Sequence, residues 1–220
     1  MPSKSVPFYH KQSKDEALKN AVANLGLELQ SGVTTMRNCG DLDGVLLDFR
    51  RSIFNKSIPR LVLCEPPLAA SGGHAHFLGG VADGADGLQT AVEKWIGMGV
   101  DFIKLIATGG GTPGTHPGYA SYPMADMSAA VKTAHAHGKT VSAHCRGIPG
   151  IENAVNAGID HIEHACFELP DGTLRFDAPL AGRIAEAGIY ITPTIQLYRD
   201  AQTFLEYKRE TQGLTDEETT

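Results

Sequence analysis

Three side chains in this sequence are spaced to do chemistry together: Lys104, His144 and His164. Each closes a short apolar run that begins at a glycine: Gly99-VDFI-Lys104, Gly138-KTVSA-His144 and Gly158-IDHIE-His164. Two imidazoles from neighbouring strands offer neutral nitrogens, which zinc binds readily. An ammonium cannot bind a metal, so the lysine would act in one of two ways. A desolvated amine can form a Schiff base with a carbonyl substrate. Alternatively it can take up carbon dioxide and become a carbamate, a carboxylate able to bridge two metal ions. The paired histidines favour the carbamate, because a Schiff-base centre has no need of them. The bland alternatives are histidines hydrogen-bonded within the fold and a lysine that reaches solvent.

The elements that must position these residues follow one repeat: a helix, a glycine, a short apolar strand, a polar residue. Gly32-VTTM-Arg37 and Gly188-IYITP-Thr194 are two further instances, and Arg60-LVLCE-Pro66 is a strand without the glycine. Glycine accepts the left-handed conformation that closes a helix. Runs of Val, Ile and Thr suit strands buried on both faces, as in parallel sheets. Residues Asp15 to Gln30 place Leu18, Val22, Leu25 and Leu29 three or four apart, a helical stripe. Leu88 to Met98 and Met127 to Ala136 read the same way. Strand–helix alternation implies right-handed βαβ units. Six strands are expected, starting near residues 33, 60, 101, 139, 159 and 189. An open sheet would also fit. The polar residues at successive strand ends favour a (β/α)8 barrel of the TIM type, which gathers its strand ends around one mouth. Six strands leave that barrel incomplete, with about strands 2 to 7 present and two exposed sheet edges; a second copy or a completing segment would cover them. The expected division is a polar segment over 1–14, a partial barrel over 15–200, and a charged helix end with a polar tail over 201–220.

Composition narrows the classes. The 220 residues can bury a substantial core, and 42% hydrophobic with 20% charged residues is an ordinary globular balance. A net charge of −6 without a basic stripe argues against nucleic acid. No apolar run is long enough to span a membrane, and the first residues lack the apolar core of a signal peptide, so a cytoplasmic location is expected. The four cysteines, Cys39, Cys64, Cys145 and Cys166, form no CxxC pair and read as reduced thiols.

Five segments, in order between about residues 20 and 200, together carry a specific likeness: Gly32-VTTM-Arg37, Phe102-Ile-Lys104-Leu with Ala107-Thr-Gly-Gly110, Val141-Ser-Ala-His144, Ala157-GIDHIE-His164 and Ile191-Thr-Pro-Thr194. The chain resembles the metal-dependent amidohydrolase superfamily, in the group of imidazolonepropionase-like enzymes and Xaa-Pro and Xaa-Arg dipeptidases. The resemblance implies that Lys104 is the carboxylated lysine bridging two metals and that His144 and His164 are ligands on the fifth and sixth strands. It implies one or two zinc ions and hydrolysis of a small amide or dipeptide-like substrate at a C–N bond by metal-activated water. The family's first-strand His-x-His, eighth-strand Asp and β-sandwich have no counterpart here. A truncated form with weak metal binding and poor turnover is therefore expected.

Other residues invite assignment. By the resemblance, His74 in Ser71-Gly-Gly-His-Ala-His76 lies over the site and contacts substrate, with His76 structural or exposed. His116 and Tyr119, in the glycine-rich Thr108–Tyr119 loop, are candidates for substrate contact; that loop lacks the GxxxxGK[ST] of a nucleotide site. Arg146 either pairs with a substrate carboxylate or bridges to a neighbouring loop. Strict alternation turns Glu163 and His161 away from His164, and Cys145 away from His144. His135 and His137 cap a helix end. Two other functions compete with hydrolysis: a lysine Schiff-base lyase, and a degenerate domain used for binding or assembly.

Overall fold

The structure is a computed structural model that describes residues 13–52, 57–211 and 213. Most of the N-terminal segment and of the polar tail singled out above lies outside the described residues. In chain order the elements are α1 (Lys14–Gln30), β1 (Thr35–Asn38), α2 (Val45–Ser52), β2 (Arg60–Leu63), α3 (Gly84–Met98), β3 (Ile103–Ile106), α4 (Met124–Ala136), β4 (Val141–Gly147), α5 (Ile148–Ala157), β5 (His161–Glu168), α6 (Ala178–Glu186), β6 (Tyr190–Thr192) and α7 (Ile195–Thr211). Single 3₁₀ turns cover Leu42–Gly44 and His76–Leu78.

All six expected strands form: the second starts where expected, the sixth one residue later, and the other four two residues later. Every pairing is parallel, β1 with β2 and then β3-β4-β5-β6 in chain order. A doubly wound sheet reverses its strand order at a switch point; unbroken sequential order is the mark of a barrel wall. The repeat's glycines do the work expected of them: Gly99 and Gly158 close α3 and α5 at φ +88° and +83°.

The ladder breaks between β2 and β3 for a reason legible in the residues. Pro66 and Pro67 follow β2, and proline has no N–H to give. Pairing resumes at Leu68, whose N–H donates to the Lys104 carbonyl (2.8 Å) and whose own carbonyl accepts from Ile106 (2.9 Å). Below the break Asp101 bridges the strands: its N–H donates to the Leu63 carbonyl at 2.8 Å, and its carboxylate accepts the Leu63 N–H at 2.7 Å. The wall is therefore continuous in space across this break.

Leu63, Leu88, Ile103, Leu105, Met127, Ile151 and Ile162 are fully buried where helices meet the sheet. At the other end of the wall, Tyr190, Ile195 and Tyr207 are exposed, and β6 has one strand neighbour among the described residues.

Glycines also hold the loop after β3 against the strand ends. A Cβ at Gly147 would lie 2.6 Å from the Pro117 carbonyl oxygen and 2.7 Å from Gly118 Cα, backbone atoms that cannot swing aside. At Gly182, exposed in α6, a Cβ would meet nothing within 4 Å. Gly147→Ala should therefore cost about 1–3 kcal/mol by overpacking, whereas Gly182→Ala should stabilise by about 0.5–1 kcal/mol by reducing the freedom of the unfolded chain. Urea denaturation of the two variants checks the opposite signs.

Candidate functional site

Register puts the chemistry on one face. Lys104 pairs with Ser142, Ile106 with His144, Ser142 with His161, and His144 with Glu163. Side chains alternate along a strand, so Lys104, Ser142, His144, His161 and Glu163 share one side. Cys145 points to the other, as expected, with its thiol toward the Gly150 carbonyl.

His164 sits in the row of Cys145 and on regular backbone would face away with it. It does not. His164, Ala165 and Phe167 all have left-handed backbone, at φ +77°, +52° and +55°, beside a register shift between Cys145 and Gly147. The irregularity turns the His164 ring inward, to a centroid distance of 4.6 Å from His144 at an interplanar angle of 74°. The expectation that Glu163 and His161 face away from the site is therefore corrected: they share its face by regular alternation, and His164 joins by breaking the rule. β-bulges that re-aim a side chain are common beside active sites.

Lys104 is 4% exposed, and its Nζ has no hydrogen-bond partner. Burial lowers its pKa, because the desolvated ammonium is disfavoured. Its charge still reaches the thiol of Cys39, the carboxylate of Glu163 and the rings of His74, His144 and His164. Glu163 Oε1 accepts from Arg37 (2.5 Å), Ser142 (3.0 Å) and the Cys39 thiol (3.4 Å). Burial pushes the Glu163 carboxyl up, but Lys104, Arg37 and Ser142 outweigh it and hold the group below its ordinary range.

Hydrogen-bond partners decide which ring nitrogens are available. His144 Nε2 lies 3.1 Å from the Gly109 carbonyl oxygen, which can only accept, so Nε2 carries the proton and Nδ1 keeps a lone pair. His164 Nδ1 lies 2.7 Å from Thr194 Oγ1, and that hydroxyl gives its proton to the Pro193 carbonyl at 2.8 Å. The Thr194 oxygen therefore accepts from Nδ1–H, leaving a lone pair on His164 Nε2. Burial holds both imidazoles neutral, His144 well below its ordinary value and His164 down to about 4.

The remaining expected site residues fall in two groups. The His74 ring centroid lies 4.6 Å from that of His144, the rings tilted at 41°, and burial lowers the His74 pKa to about 4. His116 and Tyr119 pack on each other at 4.9 Å, with Tyr119 exposed. Arg146 Nη2 lies 2.8 Å from Glu168 Oε2, so the bridge to a neighbouring segment is formed. His76 bonds the Gly73 carbonyl and His135 bonds Asp160, both structural partners. The sequence reading passed over Thr112, whose hydroxyl meets His74, and Tyr198, which α7 brings to 6.4 Å from His164. No local signal marks either one; they are ordinary residues of a loop and a polar helix.

A cavity of about 410 Å³ opens at the opposite ends of the strands, lined by Arg37, Phe102, Ser142, His161 and Tyr190 among others. None of Lys104, His144 and His164 lines it, and barrel chemistry sits at the C-terminal strand ends.

Lys104, expected at the end of its strand, is the second residue of β3 and lies one inward row before His144. The class the structure defines is a parallel barrel wall with a buried lysine and two inward histidines on one face. Residues 11–212 match the amidohydrolase family, and the chain belongs to it. Among curated proteins the chain is similar to the ochratoxinase of Aspergillus niger, 32% identical over 88 residues, which is 40% of this chain and 18% of that one. Among solved structures it is similar to an Xaa-Pro dipeptidase with methionine bound in its active site, at TM-score 0.75 and 25% identity over 99% of this chain and 53% of that chain. It is also similar to an amidohydrolase, at TM-score 0.75 and 28% identity over 94% of this chain and 52% of that one. The chain thus spans about half the length of these solved relatives and less of the curated one.

Proposed function

We propose that the protein is a metal-dependent hydrolase of amide bonds in small, dipeptide-like molecules. One observation carries the reading: an unpartnered buried amine shares a face with two imidazoles whose free lone pairs sit on His144 Nδ1 and His164 Nε2. Among the described residues no group of three His, Cys, Asp or Glu side chains could hold a metal ion. A third donor must then come from elsewhere, and Lys104 is the candidate. Burial favours its neutral amine, the form that reacts with carbon dioxide, and the carbamate would replace an orphaned donor with an anionic one. Lys104, His144 and His164 therefore fit as one metal's ligands, with zinc favoured by the neutral nitrogens. A bound zinc ion would supply a water of lowered pKa and polarise the substrate carbonyl. The chain's own residues orient that centre: Gly109 and Thr194 fix the two imidazole tautomers, and His74 lies beside them to meet substrate. The dipeptide-like substrate is supported by the likeness to an Xaa-Pro dipeptidase with bound methionine.

The test is to load the protein with Zn2+ and bicarbonate and offer a panel of dipeptides and N-acyl amino acids, measuring released amine. Slow hydrolysis that disappears on chelation is the expected result, in keeping with a truncated form that binds metal weakly. Zinc-loaded protein that cleaves none of them, or borohydride trapping of a carbonyl compound on Lys104, would overturn the reading in favour of the alternatives.

A further inference from the structure

The loops after β2 and β3 meet at one hydroxyl. Thr112 is 4% exposed. Its Oγ1 accepts the backbone N–H of Ala75 at 3.1 Å and lies 2.8 Å from His74 Nδ1. Ala75 itself has left-handed backbone at φ +60°, so the Thr112 bond holds a turn that an alanine rarely adopts. The same loop supplies Gly110, against which the His74 ring lies so closely that a Cβ there would fall 2.7 Å from His74 Nε2. Thr112 is anchored in turn, its carbonyl accepting from the Thr115 hydroxyl at 2.7 Å and the Thr115 N–H at 3.1 Å.

The direction of the Thr112–His74 bond follows from accounting for one proton. Buried hydroxyls are satisfied. Among the described residues the Thr112 hydroxyl has a single acceptor within reach, His74 Nδ1. It therefore donates there, which places the ring's own proton on Nε2. Thr194 does the reverse to His164, because its proton is already committed to Pro193. The two threonine–histidine pairs thus leave opposite groups on the outer ring nitrogens: a lone pair on His164 Nε2 and an N–H on His74 Nε2.

We propose that Thr112 is a positioning residue that fixes His74 in the Nε2–H tautomer, so that His74 serves as a hydrogen-bond donor to an oxygen of the substrate, a carbonyl or a carboxylate. The substrate part rests on the hydrolase reading above; the tautomer part does not.

Nitrogen-15 NMR of the histidine rings in the whole chain, with His74 assigned by its absence in His74→Gln, tests the tautomer directly. The wild type and Thr112→Ser should show the proton on Nε2, and Thr112→Val should lose that bias. A His74 proton on Nδ1 in the wild type, or an unchanged Nε2–H signal in folded Thr112→Val, overturns the proposal. With an active substrate in hand, Thr112→Val should lower kcat/KM by about tenfold or more, with Thr112→Ser within about threefold of the wild type. The same Thr112→Val change should add little in a His74→Ala background. A full additional loss there would show that Thr112 does not act through His74. Absence of any hydrolysis alongside the expected spectra would sink the hydrolase reading and leave the tautomer assignment standing.

Discussion

Replacing Lys104 by methionine should yield a protein that is more stable and functionally inert. The amine is buried at 4% exposure with no hydrogen-bond partner, so the folded state carries an unsatisfied donor. An unmade bond of this kind costs about 1–3 kcal/mol. Methionine keeps the length and apolar stem and removes the amine, so stability should rise by about that amount. The urea midpoint should move up with an unchanged slope. If Lys104 supplies the third donor to a metal, hydrolysis should fall by at least about a thousandfold in the same variant. A residue that costs stability where it stands, and whose removal abolishes function, is a signature of an active site. A Lys104→Met protein that unfolds more easily than the wild type would show that the attraction of the amine to Glu163 and Cys39 outweighs its missing hydrogen bond, contrary to this prediction.

His164→Gly should lose activity as completely while leaving the fold nearly as stable as before. The His164 backbone is left-handed, at φ +77°. A side chain held there costs on the order of 1–3 kcal/mol, and glycine adopts the conformation freely. Against that gain stands the loss of a partly buried ring and its bond to Thr194. The two should cancel to within about 1 kcal/mol. His144 offers the contrast: it is 7% exposed on regular strand backbone, with no strain to release. His144→Gly should therefore cost about 2–4 kcal/mol. Equal losses of stability in the two variants, read from thermal or urea unfolding, would contradict the claim that the turn at His164 is strained into place.

The strand repeat made the barrel wall readable because its causes are local. A glycine follows every helix that leads into a strand except α2, and an apolar run comes next. The ladder break at Pro66 and Pro67 was not read from the sequence, although its cause, a missing N–H, is a property of the residues. Nor was the inward turn at His164. Alternation assumes extended backbone, and no residue in His161–Glu168 announces left-handed φ, for it contains no glycine, asparagine or aspartate. Alternation therefore placed Glu163 and His161 correctly relative to each other but on the wrong side relative to His164. The hydrogen bonds that set the ring tautomers were equally silent. Thr194 and Thr112 lie 30 and 38 residues from the histidines they serve, and only the folded wall brings them together.

The central claim is that Lys104, His144 and His164 form one ligand set, and equilibrium dialysis against Zn2+ with and without bicarbonate tests it most directly. The wild type should retain zinc, more tightly when bicarbonate is present, because the carbamate is the anionic donor. Lys104→Met should lose the bicarbonate dependence, and His144→Ala and His164→Ala should lose the zinc. Zinc held equally well by all four proteins, indifferent to bicarbonate, would mean that the three side chains meet for some other purpose.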